Sequence, residues 1–322
     1  MLHNLQSRVM NCRVIPLLCR VATTTLILVA IHSSALSVEG GQSRYFKGYR
    51  DFLTGVLPAP GLLLRHDLYV YSGTERSTIP QGQLSVGLKA VSNILSVAYV
   101  TPYQILGGNY AFAVRGAVSD VDADQTLVSP RPRPTITRSG NVTALNDIAV
   151  NPFIVGWHSG YLHWNVAASV WLPAGNYDKN RLANTGRNVW GLSPQFAATY
   201  FDPKSGWEVS GAAIYVISSK NTDTNYRSGD TAHFDFAVGK MLSPQFKLGV
   251  VGYYAQQVGA DSGTGAIFGD RKLRVAGLGP GATFTFSVNN VAVNLVAKYY
   301  REFDAQNTTQ GDAGTLSVRV KF

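Results

Sequence analysis

The feature that most constrains this chain is a regular alternation of long polar connections with short turns, from about Gly61 to the last residue, Phe322. The long connections are 119–146, 173–187, 218–230, 257–270 and 304–313. The short ones are 158–160, 202–206, 242–245 and 289–290. A β-barrel of the bacterial outer membrane has short periplasmic turns, long outer loops and an even number of strands. The alternation therefore predicts such a barrel, with the long connections outside the cell and the short turns in the periplasm.

The composition is typical of strands and turns. Glycine, tyrosine and phenylalanine number 32, 16 and 14, and only 15% of the 322 residues are charged. Aromatic residues favour strands, and glycine favours turns and close backbone contacts. The chain has no run of about 20 apolar residues, so the sequence predicts no membrane-spanning helix.

The first 35 residues have the pattern of a secretory signal peptide. Arg8, Arg13 and Arg20 precede or border an apolar stretch at 21–31, and small residues follow at 33–35. Both cysteines, Cys12 and Cys19, lie in this segment, so we expect no thiol and no disulfide in the mature chain. Removal of the three arginines lowers the formal charge from +9 to about +6, which gives no support for nucleic-acid binding.

Residues 36–60 contain glycines and prolines and show no alternation. We interpret them as a short N-terminal arm that lies in the periplasm or is inserted into the barrel lumen. A flexible tail is an equally good interpretation of the same residues. Residues 61–322 are then the barrel itself.

Apolar residues alternate with small or polar residues in about twelve segments of the barrel region. These segments are 62–71, 84–101, 108–118, 147–157, 160–172, 188–201, 206–218, 231–241, 245–257, 272–288, 291–303 and 314–322. A tilted strand needs about 9–11 residues to cross a membrane, which is near the length of these segments. The sequence predicts an all-β, antiparallel transmembrane barrel of about twelve strands, although ten or fourteen are also compatible with it.

The apolar face of the strands is expected to contact lipid, and the other face to line the lumen. In one strand, for example, Val166 lies on the apolar face and Asn165 on the lumen face. Aromatic residues near the strand ends, among them Tyr69, Tyr71 and Trp171, predict the two interfacial girdles of an outer-membrane barrel.

Polar and charged residues of the second face are the candidate functional residues. The predicted lumen-lining residues are Arg115, His163, Asn165, Gln195, His233, Asp235, Lys247, Asn294, Lys298 and Glu302. Two roles remain open for them. Opposite charges can pair across the lumen and close it, or the side chains can line a wet passage with a slight excess of positive charge.

The sequence predicts no catalytic residue, no metal site and no cofactor. Asp120, Asp122 and Asp124 have the spacing that opens a calcium-binding loop, but Gln125 and Arg131 occupy the positions of its glycine and glutamate. His163, Asn165 and Ser169 share one strand face, where alternate residues stand about 7 Å apart, too far for a catalytic triad. An outer-membrane lipid hydrolase is therefore a weaker hypothesis than a channel or a non-conducting structural or adhesive barrel.

Two kinds of partner follow from a barrel in the outer membrane. The outer wall would contact lipid and lipopolysaccharide. Residues 318–322 are apolar at alternate positions and end in Phe322. They resemble the terminal strand that outer-membrane proteins present to the barrel-assembly machinery.

Several short motifs are similar to those of one known family. They are Glu39-Gly40-Gly41, Pro58-Ala59-Pro60-Gly61, Leu172-Pro173-Ala174-Gly175-Asn176-Tyr177, Gly277-Leu278-Gly279-Pro280 and Glu302-Phe303. On these residues the chain resembles the outer-membrane family associated with the meta-pathway of phenol degradation, over nearly all of 38–322. The resemblance implies an outer-membrane barrel that takes up small hydrophobic or aromatic compounds.

Overall fold

The computed structural model of the protein describes residues 43–79, 82–129, 135–266 and 271–322. The predicted signal peptide, 1–35, and the first part of the predicted arm, 36–42, lie outside the described residues. The strands are β1 Gly61–Ile79, β2 Gly82–Ile105, β3 Gly108–Val128, β4 Ile136–Leu145, β5 Ile148–Ser159, β6 Leu162–Leu172, β7 Gly191–Phe201, β8 Trp207–Ser218, β9 Thr231–Met241, β10 Phe246–Gln257, β11 Arg274–Val288, β12 Val291–Gln306 and β13 Gln310–Lys321.

Twelve of these strands close into one antiparallel barrel. Every strand of the ring pairs with the next, and β1 pairs with both β2 and β13, so the ring has no free edge. The thirteenth strand, β4, pairs with the second half of β3, while the first half of β3 pairs with β5. The prediction of an antiparallel barrel of about twelve strands is confirmed. Among the described residues, no helix is long and apolar enough to cross a membrane.

The two ends of the barrel differ in the length of their connections. At one end, called here the turn end, the strands are joined by 106–107, 160–161, 202–206, 242–245 and 289–290. At the other, the loop end, the longest connections are 173–190, 219–230 and 258–273. Asn289 and Asn290 have φ angles of 49° and 66°, the positive values that a two-residue type I′ hairpin turn requires.

The prediction of a long loop is wrong in two places. Most of 119–146 is strand, because β3 continues to Val128 and β4 follows it, and 304–313 is largely the ends of β12 and β13. These strands continue beyond the length of a membrane crossing, where their outward side chains are polar, as at Asp120 and Asp122. In this part of β3 the alternation is inverted, since the exposed Asp122 and Asp124 flank the buried Ala123, so a search for apolar outward residues does not recognise the strand.

The first three strands are longer than a membrane crossing requires. They have 19, 24 and 21 residues, whereas a tilted transmembrane strand needs about 9–11. The additional residues lie at the loop end, where β1 pairs with β2 and β3 pairs with β4. Leu84, Val86 and Leu127 are buried on the inner face of this extension. The first four strands therefore form a sheet that rises above the rest of the barrel.

Alternate residues of the barrel strands face outward and inward. Leu248, Val250 and Val318 are outward and exposed on the surface of the protein. The prediction of girdle positions is wrong for Tyr69, Tyr71 and Trp171, which are buried. Tyr71 and Trp171 donate hydrogen bonds to inward side chains, the Glu302 carboxylate at 2.8 Å and the Ser193 hydroxyl at 2.9 Å. These aromatic residues belong to the lumen.

Replacing Val250 by arginine is expected to destabilise the barrel in lipid by about 2–4 kcal/mol, because the side chain is outward near the middle of β10. Asn294→Arg is the control on the inner face, since Asn294 faces inward and water or polar groups can solvate the new charge. Urea unfolding of both variants in lipid vesicles measures the difference. Equal stabilities, or a larger loss for Asn294→Arg, would show that the faces are wrongly assigned.

Candidate functional site: an arm inside the barrel

Residues 43–60, called here the arm, lie inside the barrel and extend along most of its length. At the turn end Leu57 packs against Val100 and Ala111, and its carbonyl oxygen lies 2.9 Å from Nε2 of His158. Toward the loop end the Ser43 hydroxyl lies 2.9 Å from Nε2 of His233, near the start of β9. The arm forms no strand with the wall. Side-chain contacts therefore hold it in place.

The densest of these contacts surround Asp51. Its carboxylate accepts hydrogen bonds from Arg319 of β13 at 2.6 and 2.7 Å and from Lys298 of β12 at 2.7 Å. Arg65 of β1 lies 3.8 Å away and is also paired with Asp67 at 2.8 Å. One arm carboxylate thus interacts with three cations on adjacent strands.

The ionisation of Asp51 follows from this environment. Burial acts to raise the pKa of the carboxyl, but the charges of Arg319, Lys298 and Arg65 outweigh it and hold the pKa well below its usual range. The carboxylate is therefore charged at neutral pH and stabilises the docked arm electrostatically.

Glu302 of β12 is a second anchor for the arm. Lys47 of the arm donates to its carboxylate at 2.5 Å, and the hydroxyls of Tyr71 and Tyr253 donate at 2.8 and 2.7 Å. The backbone N–H of Gly311 donates at 2.9 Å. With four donors around it, this buried carboxylate has the partners that a charge needs away from bulk water.

Asp235 of β9 is a third anchor. The Tyr45 hydroxyl donates to it at 2.6 Å, and the backbone N–H groups of Gly48 and Arg50 donate at 3.3 and 3.0 Å. The side chain of Arg50 extends further, to the Gln195 amide oxygen at 2.7 Å. A wall carboxylate here fixes the backbone of the arm as well as its side chains.

The last part of the arm contacts the wall near the turn end. The backbone N–H of Leu53 donates to Glu208 at 2.6 Å, and Glu208 is also paired with Lys247. Asn165 donates to the Thr54 carbonyl oxygen at 2.9 Å. Gly55 lies so close to the wall that a Cβ atom there would be 2.4 Å from the Thr199 nitrogen. Only glycine allows the backbones to approach this closely.

The structure places most of the ten predicted lumen residues against the arm. Eight contact it directly, through hydrogen bonds, ion pairs, or cation–π or ring contacts: Arg115, Asn165, Gln195, His233, Asp235, Lys247, Lys298 and Glu302. His163 instead contacts His158, with 2.6 Å between their Nδ1 atoms. Asn294 accepts a hydrogen bond from Thr285 at 2.7 Å and lies near the turn end.

Sequence reasoning missed the partners that the arm itself contributes, Tyr45, Lys47 and Asp51. No periodicity marks residues of an irregular segment. It also missed the inward face of β1, where Arg65, Asp67, Tyr69 and Tyr71 occur at every second position. That spacing of two is the signal that could have identified them.

The charges of the lumen are largely paired. Lys47 lies against Glu302, Lys247 against Glu208, and Lys298 against Asp51. Across the described ranges no group of three or more histidine, cysteine, aspartate or glutamate side chains is arranged to hold a metal ion. Of the two roles left open by the sequence, pairing describes this arrangement better than a wet basic passage does.

The comparisons with known proteins agree with this architecture. The family described as "Putative MetA-pathway of phenol degradation" matches residues 73–318, and the chain belongs to it. The resemblance inferred from the sequence motifs is confirmed. No curated protein sequence matches the chain.

Among solved structures, an outer-membrane channel from Pseudomonas putida F1 has a TM-score of 0.62 at 13% identity, over 83% of this chain and 97% of that one. A FadL homologue from Pseudomonas aeruginosa has a TM-score of 0.42 at 9% identity, over 86% and 94% of the two chains. The first of these likenesses shows that the protein has the fold of a bacterial outer-membrane β-barrel, and the outer wall of such a barrel contacts lipid and lipopolysaccharide.

Replacing Asp51 by asparagine is expected to weaken docking of the arm by about 3–5 kcal/mol, because it leaves Arg319 and Lys298 buried without their counter-charge. The readout is the reaction of a cysteine placed at Ser43 with a water-soluble maleimide. Asp312→Asn is the control, since Asp312 pairs with the exposed Arg301. Equal reaction rates in the two variants would contradict a role for Asp51 in docking.

Acid is expected to release the arm. The pKa of Asp51 is lower in the docked arm than in a free one, so the carboxylate stabilises docking fully above about pH 4 and loses this effect as the pH falls further. The same cysteine at Ser43, read by an acid-tolerant disulfide reagent, should become more reactive below about pH 4. In the Asp51→Asn variant, this rise in cysteine reactivity at low pH should disappear. If the rise persists, a group other than Asp51 causes it.

Proposed function

We propose that the protein is an outer-membrane channel for the passive uptake of small hydrophobic or aromatic compounds, with the arm as a removable plug. The observation that carries the proposal is the way the lumen is filled. A segment held by ion pairs and hydrogen bonds, and by no strand pairing, can leave without breaking the barrel wall. Membership of a family described by phenol degradation supports the choice of solute.

The inner wall suits an aromatic solute once the arm has moved. Tyr69, Tyr71, Tyr253 and Tyr300 form a buried cluster with Phe52 of the arm. The rings of Tyr253 and Tyr300 lie 5.0 Å apart. Without the arm these rings would offer faces for stacking, and their hydroxyls would offer hydrogen bonds to a phenolic group.

The proposed role involves no covalent chemistry. The three side chains weighed above for a hydrolase make separate contacts: His163 with His158 at 2.6 Å, Asn165 with Thr54 at 2.9 Å, and Ser169 with Asn151 and Gln195 at 2.7 Å. Selection of the solute would depend on the side chains of the lumen and of the loop end.

The barrel-assembly machinery is the proposed partner during insertion. The exposed Phe322 directly follows β13, and β13 pairs with β1 at the point where the barrel closes. A C-terminal strand of this kind is available for recognition until β1 pairs with it.

A permanently closed barrel with a structural or adhesive role is the second candidate. The extent of the contacts favours it, because Asp51, Glu302 and Asp235 are all buried and all bonded to donors. The two functions differ in whether the arm ever leaves the lumen.

Conductance and solute flux distinguish the two candidates. In planar bilayers, a variant without residues 43–52 is expected to conduct ions steadily, whereas the full chain is expected to open rarely. Vesicles containing the full chain should take up phenol faster than vesicles containing Leu57→Trp, in which bulk is added where the arm packs at the turn end. A silent truncated barrel, or phenol uptake no faster than in protein-free vesicles, would contradict the channel.

A further inference from the structure

A small pocket at the loop end lies between the tip of the arm and the connections that follow β6 and β8. Its lining includes Arg44 of the arm, Arg187 of the 173–190 connection, and Ser228 of the 219–230 connection. The open space is about 20 Å³, enough for one water-sized group. Two of the described residues that line it are positively charged, and none of them is negatively charged.

Arg44 is held rigidly but is not saturated with acceptors. Its Nη2 donates to the Val189 carbonyl oxygen at 3.2 Å, and its guanidinium lies 5.8 Å from the centre of the Trp171 ring. Only 3% of the side chain is exposed. Nevertheless, among the described residues its Nε and Nη1 atoms have no hydrogen-bond partner.

The nearest carboxylate does not satisfy these donors. Asp147 lies 3.7 Å from Nη1 of Arg44, beyond hydrogen-bonding distance. Its oxygens instead accept from the backbone N–H groups of Gly175 at 3.1 Å and Arg187 at 3.2 Å. Burial and the charge of Arg187 lower the pKa of Arg44 to about 10, partly offset by Asp147, so the guanidinium remains charged at neutral pH.

A glycine at the start of β7 leaves space for the guanidinium of Arg44. A Cβ atom on Gly191 would lie 3.0 Å from Nη1 of Arg44, tighter than an ordinary contact. A glycine at this position lets the flat group lie against the start of β7. Buried guanidinium groups with free N–H donors pair strongly with carboxylates and phosphates, which can accept two parallel hydrogen bonds, and the small space favours the smaller carboxylate.

The remaining walls combine hydroxyl groups with apolar surface. Ser43, Ser228 and Thr231 bring side-chain hydroxyls to the pocket. Val189 and Val216 are buried and supply apolar contacts. A carboxylate could therefore bind the guanidinium and hydroxyl groups while an attached ring contacts the valines.

We infer that this pocket binds the carboxylate group of a small aromatic acid, between Arg44 of the arm and Arg187 of the 173–190 connection. The choice of an aromatic acid rests on the proposed function, whereas the carboxylate follows from the pocket itself. The site is complete only while the arm is docked, because one of its two arginines belongs to the arm.

Calorimetric titration of the full chain in detergent, at pH 7 and low salt, tests the inference with benzoate, benzyl alcohol and inorganic phosphate as probes. Benzoate is expected to bind one site about tenfold or more tightly than neutral benzyl alcohol. Arg44→Gln should weaken benzoate binding by about tenfold or more. Arg301→Gln, which removes an exposed arginine paired with Asp312, should leave binding unchanged.

A second variant tests the site even if Arg44→Gln fails to fold. Ser228→Asp places a carboxylate of the chain itself in the pocket, so it should abolish benzoate binding and raise the melting temperature. Equal binding of benzoate and benzyl alcohol, or unchanged binding in both variants, would overturn the site. Phosphate binding as tight as that of benzoate would overturn its assignment to an aromatic acid.

The result is separable from that of the channel experiments. Loss of benzoate binding together with retained phenol flux would reject this site and leave the channel. Benzoate binding without phenol flux would reject the channel and leave the site.

Discussion

The interaction on which the structure depends most is the one between Asp51 and the cations at the closure of the barrel. In the pairing of β1 with β13, Arg65 lies directly opposite Arg319. Like charges facing each other across two strands are destabilising. Asp67 compensates part of this repulsion within β1, and Asp51 of the arm compensates the rest by binding Arg319 and Lys298. The closure of the wall and the position of the arm are therefore coupled.

The same relation holds along the whole lumen. Glu208, Asp235 and Glu302 project from three different wall strands, and each accepts a hydrogen bond from the arm. A narrow lumen with this many charges needs either the arm or water to solvate it. Movement of the arm would exchange a paired interior for a hydrated one. Because water can replace the lost donors, the change costs less than an unpaired buried charge would.

The sequence predicted the barrel better than it predicted the site. The number of strands and their lipid faces could be predicted because lipid requires apolar residues at every second position within the membrane. Beyond the membrane that requirement ends, so the part of β3 that follows Val118 was predicted to be a loop. Tyr69 and Tyr71 were predicted as girdle residues because the first predicted segment ends at residue 71, whereas β1 continues to Ile79 and has both tyrosines near its middle. Their spacing of two residues from Arg65 and Asp67 places both tyrosines on the lumen face of β1. The contacts of Asp51 have no counterpart in any periodic pattern, since the arm is irregular.

The proposed carboxylate site bears on how the arm moves. A ligand stabilises the state in which its site is complete, in proportion to its preference for that state. Arg44 would leave with the arm, whereas Arg187 belongs to the 173–190 connection and would remain, so a bound aromatic acid would favour the docked arm. A neutral aromatic solute gains nothing from these charges and would not shift the equilibrium toward closure. The arrangement would then make the barrel more permeable to uncharged aromatics when acids are scarce, without any change to the lumen itself.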